Sequence, residues 1–263
     1  MPEPIFPINQ AQESLKAGRS LIGVMVVEMR QPSVMQLLVN AGYDYVIIDN
    51  EHGPFSIETI ADLSRAARWV GLTPIVRVPD LAYPYLAQSL DSGAQGVMLP
   101  RIYTREQVEQ AVQIMKYPPL GQRGCAFNRG HSDFKSLPVQ EGTVKANEET
   151  MLVVQIETKE AVDDVEGIIS VPGVDVALVG PGDLSIALGV PGQMNAPILH
   201  KAIEKVIDTC EKKDVYPAIH INALEDATYW AEKGMRMVSG QSETSLMIQA
   251  GTHMTNGIRA AFG

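Results

Sequence analysis

Cysteine is nearly missing: the 263-residue chain carries only Cys125 and Cys210. They stand in unrelated settings without metal-ligand spacing, so a disulfide scaffold and a thiolate zinc site are excluded, and both read as buried or idle thiols. Positive charge is also scarce. Lysine and arginine total 21 against 31 aspartates and glutamates, a formal net charge of −10. With no basic stripe to meet a phosphate backbone, nucleic acid is not an expected partner. Small anions stay possible, because one arginine and a bound cation reverse the field inside a pocket. No apolar run approaches the roughly 18–20 residues needed to span a bilayer. The opening MPEPIFPINQ lacks the basic and apolar regions of a signal peptide. A cytoplasmic protein that does not engage a membrane is the expectation.

What recurs is a phrase: a helical stretch, a glycine, then a short β-rich apolar run. It appears as NAGYDYVIIDN, WVGLTPIVRVP, DSGAQGVMLPR, VPGVDVALVGP and EKGMRMVSGQS. Glycine just past a helix supplies a left-handed cap, and the run behind it reads as a buried parallel strand. Adding the runs at 21–26, 151–157 and 215–221 gives eight candidate strands, with amphipathic segments such as 56–70, 104–115 and 198–213 between them. Eight βα repeats in a chain of this length predict a single-domain α/β protein, a (β/α)8 TIM barrel. A doubly wound open sheet is the alternative, but GVMVVEMRQP holds no G-x-G-x-x-G fingerprint. Residues 1–17 read as an N-terminal extension. The segment 116–150, rich in Gly, Pro and Arg, reads as a long loop over the active-site face, a lid or a surface insertion.

Barrel catalysis sits at the C-terminal ends of the strands, so the residues that end each run matter most. They are Asp49-Asn50-Glu51-His52, Arg77, Pro100-Arg101, Gln155-Ile156-Glu157, Gly180-Pro181-Gly182-Asp183, His220 with Asn222, and Ser239-Gly240-Gln241. Each has a structural explanation when taken alone: Asp183 as a helix cap, Glu157 as the partner of Lys159, Arg77 as an ion-pair partner. Their convergence on one rim of otherwise apolar strands favours a site. Glu157 and Asp183, with no His or Cys cluster beside them, suit a hard divalent cation such as Mg²⁺ or Mn²⁺, which would polarise a ketone and stabilise an enolate. Arg77 can donate to the same oxyanion. His52 suits proton transfer near neutral pH. The backbone opening the helix at GPGDLS can hold a carboxylate. None of the ten lysines falls at a strand end, which disfavours a Schiff-base mechanism; G-x-S-x-G and P-loop motifs are missing too.

In this order IIDNEHGPFS, IVRVP, LDSGAQGVMLP, KYPPLGQRG, VVQIET and VGPGDLS resemble the HpcH/HpaI aldolases, collinearly from about Gly18 onward. The resemblance implies Glu157 and Asp183 as metal ligands, for Mg²⁺, Mn²⁺ or Co²⁺. It implies His52 as the acid/base, Arg77 as the enolate stabiliser, and Asp49 as the residue that orients one of them. Asp91 would partner the histidine across a subunit interface. Gln155 would arrange the metal's water shell, and the Gly182–Asp183 backbone would hold the pyruvate carboxylate. A hexamer built as a trimer of dimers is implied, with residues from about 243 onward exchanged between neighbours.

Three positions depart from the family pattern. Asn50 stands where many members have glycine, and either narrows the site or points away. His220 stands where an apolar residue faces the aldehyde; in that register it favours a polar or acidic acceptor, and one residue out of register it is buried and structural. Gln241 replaces a frequent glycine. The expected activity is reversible cleavage of a 4-hydroxy-2-oxo acid to pyruvate and an aldehyde through a metal-stabilised enolate. Oxaloacetate decarboxylation or macrophomate-synthase-like coupling would use the same site. A non-catalytic, metal-dependent ligand-binding barrel is the alternative of another class. Phosphate-ester isomerisation could use the SGQSET turn, but INALED offers no glycine-rich partner loop.

Overall fold

Five glycines mark where helices hand over to strands, and all five lie in the left-handed region: Gly42, Gly71, Gly93, Gly173 and Gly234, with φ between 87° and 120°. A side chain is strained at such a φ, so glycine there fixes the recurring phrase as helix stop and strand start. The structure is a computed structural model and describes residues 5–262. Its strands are β1 Leu21–Val26, β2 Tyr45–Asp49, β3 Thr73–Arg77, β4 Gly96–Leu99, β5 Met151–Ile156, β6 Val176–Val179, β7 Tyr216–Ile221 and β8 Met237–Ser242. They close into one parallel barrel in chain order, with β1 paired to β8 through Gly23 opposite Ser239. The expected fold class, a single-domain (β/α)8 barrel, is observed.

The helices are α1 Gln10–Lys16, α2 Ser33–Asn40, α3 Ile57–Trp69, α4 Tyr83–Asp91, α5 Arg105–Met115, α6 Val139–Glu149, α7 Lys159–Asp163, α8 Val165–Ile169, α9 Pro181–Ala187, α10 Pro197–Lys213, α11 Leu224–Glu232 and α12 Glu243–Phe262. Local chemistry starts several of them. Ser56 accepts the Thr59 N–H at the start of α3, and Thr104 with Gln107 forms a capping box on α5. The main core lies between barrel and helices, with Val46, Ile48, Val76, Val97, Val154 and Ala177 facing outward into it. A second cluster fills the barrel itself, from Tyr45, Ile47, Ile75, Met98 and Leu178, and continues onto Ala11 and Leu15 of α1. Burial on both faces is why the strands read as continuous apolar runs rather than alternating ones.

The described part of the N-terminal extension packs onto the barrel. Helix α1 plugs the N-terminal mouth, where the Ala11 N–H donates to Thr73 Oγ1 at 3.0 Å and Asn9 Nδ2 donates to the Gln95 carbonyl at 3.0 Å. One expectation needs correction: the 116–150 segment is not a loop over the active-site face. It carries a 3-10 turn and α6, and it joins a helix to the start of β5, so it lies at the opposite end. There Asn9 N–H reaches Glu149 at 2.6 Å, Arg68 pairs with Asp133 at 2.5 Å, and Arg123 pairs with Asp91 at 2.5 Å. An αβ connection in a parallel barrel always runs back to the N-terminal mouth; the length of the segment suggested a lid, but its place in the order of elements rules one out within this chain.

Candidate active site at the strand C-termini

Strand β2 ends in a carboxylate and strand β3 in a guanidinium, and the register sets Asp49 directly opposite Arg77. The pair is bidentate: Arg77 Nε donates to Asp49 Oδ1 at 2.8 Å and Nη2 donates to Oδ2 at 2.7 Å. Both groups are nearly out of solvent, with side-chain exposures of 11% and 2%. Burial alone would raise the Asp49 carboxyl. The hydrogen bonds and charge of Arg77, helped by the Glu51 and His52 N–H groups, hold it below the usual carboxylate range. Burial likewise opposes the Arg77 charge, but Asp49, Glu51 and Glu157 keep that guanidinium more firmly protonated than usual. Asp49 thus occupies only two of the five N–H donors of Arg77, and Arg77 lines the main cavity.

Glu51 closes in from the other side, its Oε2 lying 3.3 Å from Arg77 Nη1. Sequence reasoning named Glu51 at the strand end but gave it no role. The available signal was the two-residue spacing from Asp49, which turns a second carboxylate back over the strand end.

Glu157 follows β5, is 5% exposed, and accepts the Arg101 N–H at 2.7 Å. Gln155 Nε2 donates to its other oxygen at 2.5 Å. Burial, together with the charges of Asp183 and Glu51, pushes the Glu157 carboxyl up to about 7 against the pull of Arg101 and Arg77. It does not pair with Lys159, which bonds Asp163 on its own helix instead. Arg101 adopts φ 54°, and that turn aims its N–H at Glu157; strand-end reasoning named Arg101 without seeing this backbone contribution. Asp183 stands in the first turn of α9, makes no side-chain cap, and with Gly182 lines the cavity.

The cavity has a volume of about 670 Å³ and runs from a floor of Met25, Ile47, Met98 and Leu178 to a mouth between β6, β7 and α11. His220 lines it, with Nδ1 2.9 Å from Ser239 Oγ. Of its two registers, the cavity-facing one is realised. Asn50 is not among the residues that line the cavity. Gln241 keeps a left-handed φ of 56° without being glycine and donates to the Asn222 carbonyl at 2.9 Å.

His52 is brought near this group but not into it. Its imidazole is 69% exposed at the rim, 3.8 Å from Glu51. Asp91 is not brought near at all within one chain, since it sits at the end of α4 on Arg123. An unpredicted support is Glu243, a buried carboxylate that accepts the N–H groups of Val27, Glu28 and Met29 at 2.8–3.0 Å. It ties the β1–α2 loop to the start of α12.

A divalent cation is the group this corner raises, and its residues can be tested for fit. Among the described residues no set of three or more His, Cys, Asp or Glu is placed to hold a metal, so any such site rests on two carboxylates and water. Three observations fit that arrangement. Glu157 is protonated more readily than usual, through its burial first and then the nearby charges of Asp183 and Glu51. Gln155 Oε1 is buried with no partner. A β-carbon on Gly180 would come within 3.0 Å of Gln155 and 3.1 Å of Glu157, so glycine keeps that space open. The donors are all oxygen, as a hard cation requires.

A closed parallel barrel with its polar groups gathered at the C-terminal rim defines a barrel enzyme. The chain belongs to the HpcH/HpaI aldolase/citrate lyase family, whose model matches residues 23–250. It is 32% identical to a hydroxypyruvate/pyruvate aldolase of Roseobacter denitrificans, over 93% of this chain and 95% of that protein. It is 33% identical to a 4-hydroxy-2-oxo-heptane-1,7-dioate aldolase of Escherichia coli, over 92% of each. Among solved structures, an HpcH/HpaI aldolase from Desulfitobacterium hafniense superposes with a TM-score of 0.89 at 30% identity, covering 95% of both chains. The relatives are aldolases, and aldolases are carbon–carbon lyases. No described helix is long and apolar enough to cross a membrane.

Proposed function

We propose that this chain reversibly cleaves a 4-hydroxy-2-oxo acid to pyruvate and an aldehyde. The observation that carries the reading is Arg77, buried, clamped by Asp49 and Glu51, and facing a cavity it shares with Gln155 and Asp183. The names of the aldolase relatives support the same reaction class. Glu157 and Asp183 would hold a divalent cation, Mg²⁺, Mn²⁺ or Co²⁺, which when bound supplies Lewis-acid polarisation of the 2-oxo group.

The chain's own groups then divide the work. The N–H groups of Gly182 and Asp183 opening α9 bind the substrate carboxylate. Gln155, locked against Glu157, orients polar groups at the 2-oxo end. His52, or a water it activates, takes the proton of the C4 hydroxyl. The C3–C4 bond breaks, the aldehyde leaves, and the electron pair of that bond becomes the C2–C3 double bond of the enolate. Arg77 donates to the developing oxyanion from a position fixed before reaction, so little reorganisation accompanies the charge. Protonation at C3 completes pyruvate.

What one chain leaves incomplete supports a hexameric assembly. Asp91 would reach His52 across a subunit boundary, and α12 exposes Met247, Ile248, Met254 and Phe262, an apolar surface suited to exchange between neighbours. The 2-oxo acid and aldehyde are small-molecule partners of a protein that works in the cytoplasm. The test is pyruvate release from a panel of 4-hydroxy-2-oxo acids and oxaloacetate, after EDTA and after adding back each cation. Metal-restored cleavage of a hydroxy-oxo acid is expected. Turnover of oxaloacetate alone would replace the proposal with a decarboxylase, and full activity without metal would remove Glu157 and Asp183 from their roles.

A further inference from the structure

The cavity continues past the Arg77 corner, and the chemistry of that outer half is unlike the inner half. Across from Arg77, His220 is held by Ser239 through Nδ1. Among the described residues its Nε2 has no hydrogen-bond partner, and the residue lines the cavity. Burial first, then the positive charge of Arg77, pull the His220 imidazole down to about 4, only partly opposed by Asp49. It is therefore a neutral hydrogen-bonding group near pH 7, not a cation. Further out the lining continues with Asn195, Asn222 and Tyr229, and then with the carboxylates Glu225 and Asp226. Among the described lining residues Arg77 is the one Lys or Arg, and it is already clamped by Asp49 and Glu51.

We infer that the aldehyde partner is a neutral hydroxyaldehyde, selected by a hydrogen bond between its hydroxyl and His220 Nε2 and by the acidic mouth at Glu225 and Asp226, which turns away acceptors ending in a carboxylate. The inference rests on the aldolase reading and adds the class of acceptor. An apolar aldehyde would leave Nε2 without a partner in a partly desolvated site, a loss that discriminates against analogues lacking the hydroxyl. An acceptor carboxylate would face two like charges at the mouth, with no lysine or arginine beside them among the described lining residues.

The experiment measures kcat/KM for aldol addition of pyruvate to glycolaldehyde, butanal and succinic semialdehyde. Wild type, His220→Leu and Glu225→Lys are compared, each checked for folding by thermal melting. Exchange of pyruvate methyl protons in D₂O by the wild type is followed in parallel. Wild type should prefer glycolaldehyde. His220→Leu should lower the glycolaldehyde-to-butanal ratio about tenfold, the scale of one hydrogen bond, and His220→Asn should restore part of it. Glu225→Lys, which leaves the barrel interior untouched, should raise the rate with succinic semialdehyde severalfold. Wild type preferring succinic semialdehyde would overturn the inference, as would a folded His220→Leu with an unchanged ratio. If His220→Leu does not fold, an unmoved semialdehyde rate in Glu225→Lys overturns it. Proton exchange with none of these selectivities would refute the acceptor assignment alone. Absence of exchange in the wild type would bring down the aldolase reading and this inference with it.

Discussion

Replacing Asp49 with asparagine keeps the shape of the Arg77 clamp and removes its charge. An asparagine carbonyl can still accept from Arg77 Nε, at the site of the present 2.8 Å bond, and from the Glu51 N–H at 3.0 Å. Its NH₂ group, however, would sit where Oδ2 now accepts from Nη2 at 2.7 Å, setting donor against donor. One charge-assisted hydrogen bond is lost, and a buried guanidinium keeps only the looser Glu51 contact. Removing one member of a buried pair typically costs about 3–5 kcal/mol. Glu51 offsets part of that, so a loss near 3 kcal/mol is expected, or a melting temperature lower by about 6–12 °C for a chain of this size. Catalysis should suffer separately. A guanidinium free to rotate is no longer aimed at the oxyanion, and a misplaced donor costs about 10²–10³ in kcat. The assay is pyruvate release coupled to NADH oxidation, with melting followed by circular dichroism. An Asp49→Asn protein that melts within about 1 °C of wild type and turns over within about twofold would refute the argument that this pair positions Arg77, since the predicted losses are several times larger.

Other consequences follow from separate parts of the molecule. Gly23→Ala should destabilise the barrel by at least about 1–3 kcal/mol, because a β-carbon there would overlap the buried Tyr45 ring; urea denaturation of Gly23→Ala with and without Tyr45→Val would show the coupling. His131 is buried beside Arg123, and burial foremost takes its imidazole from 6.5 down to about 4. Above pH 6.5 it is neutral folded or unfolded, and as pH falls toward 4 only the unfolded chain gains the proton, so the native state loses stability across that window. His131→Phe should spare up to about 3 kcal/mol of the acid loss between pH 7 and 4, read from denaturant midpoints. Asp214 ends α10 with φ 55°; Asp214→Gly should add about 1 kcal/mol by relieving that conformation and removing a negative charge from the helix C-terminus. A melting temperature unchanged or lowered would contradict this.

The barrel was legible because glycine and β-branched residues alternate with amphipathic stretches, and that signal is local. Gly42, Gly71 and Gly93 announce strand starts without reference to anything distant. Strand-end reading also singled out Arg77, Gln155, Glu157, Asp183 and His220, since a polar residue closing an apolar run stands out. Groups whose neighbours come from afar were not legible. Asp91 meets Arg123 across 32 residues, and Glu243 caps a loop more than 200 residues earlier. The length of the 116–150 segment gave no clue to which end of the barrel it joins; only the order of elements does. His52 was readable as a residue type but not as an exposed rim group, because exposure depends on what packs around it.

The central claim is that the corner built on Arg77 stabilises a pyruvate enolate, and proton exchange tests it without any aldehyde present. Pyruvate in D₂O with the protein and Mg²⁺ should lose its methyl proton signal at a rate that Arg77→Ala lowers by at least about 100-fold. Exchange no faster than in buffer, or equally fast with Arg77→Ala, would contradict the account.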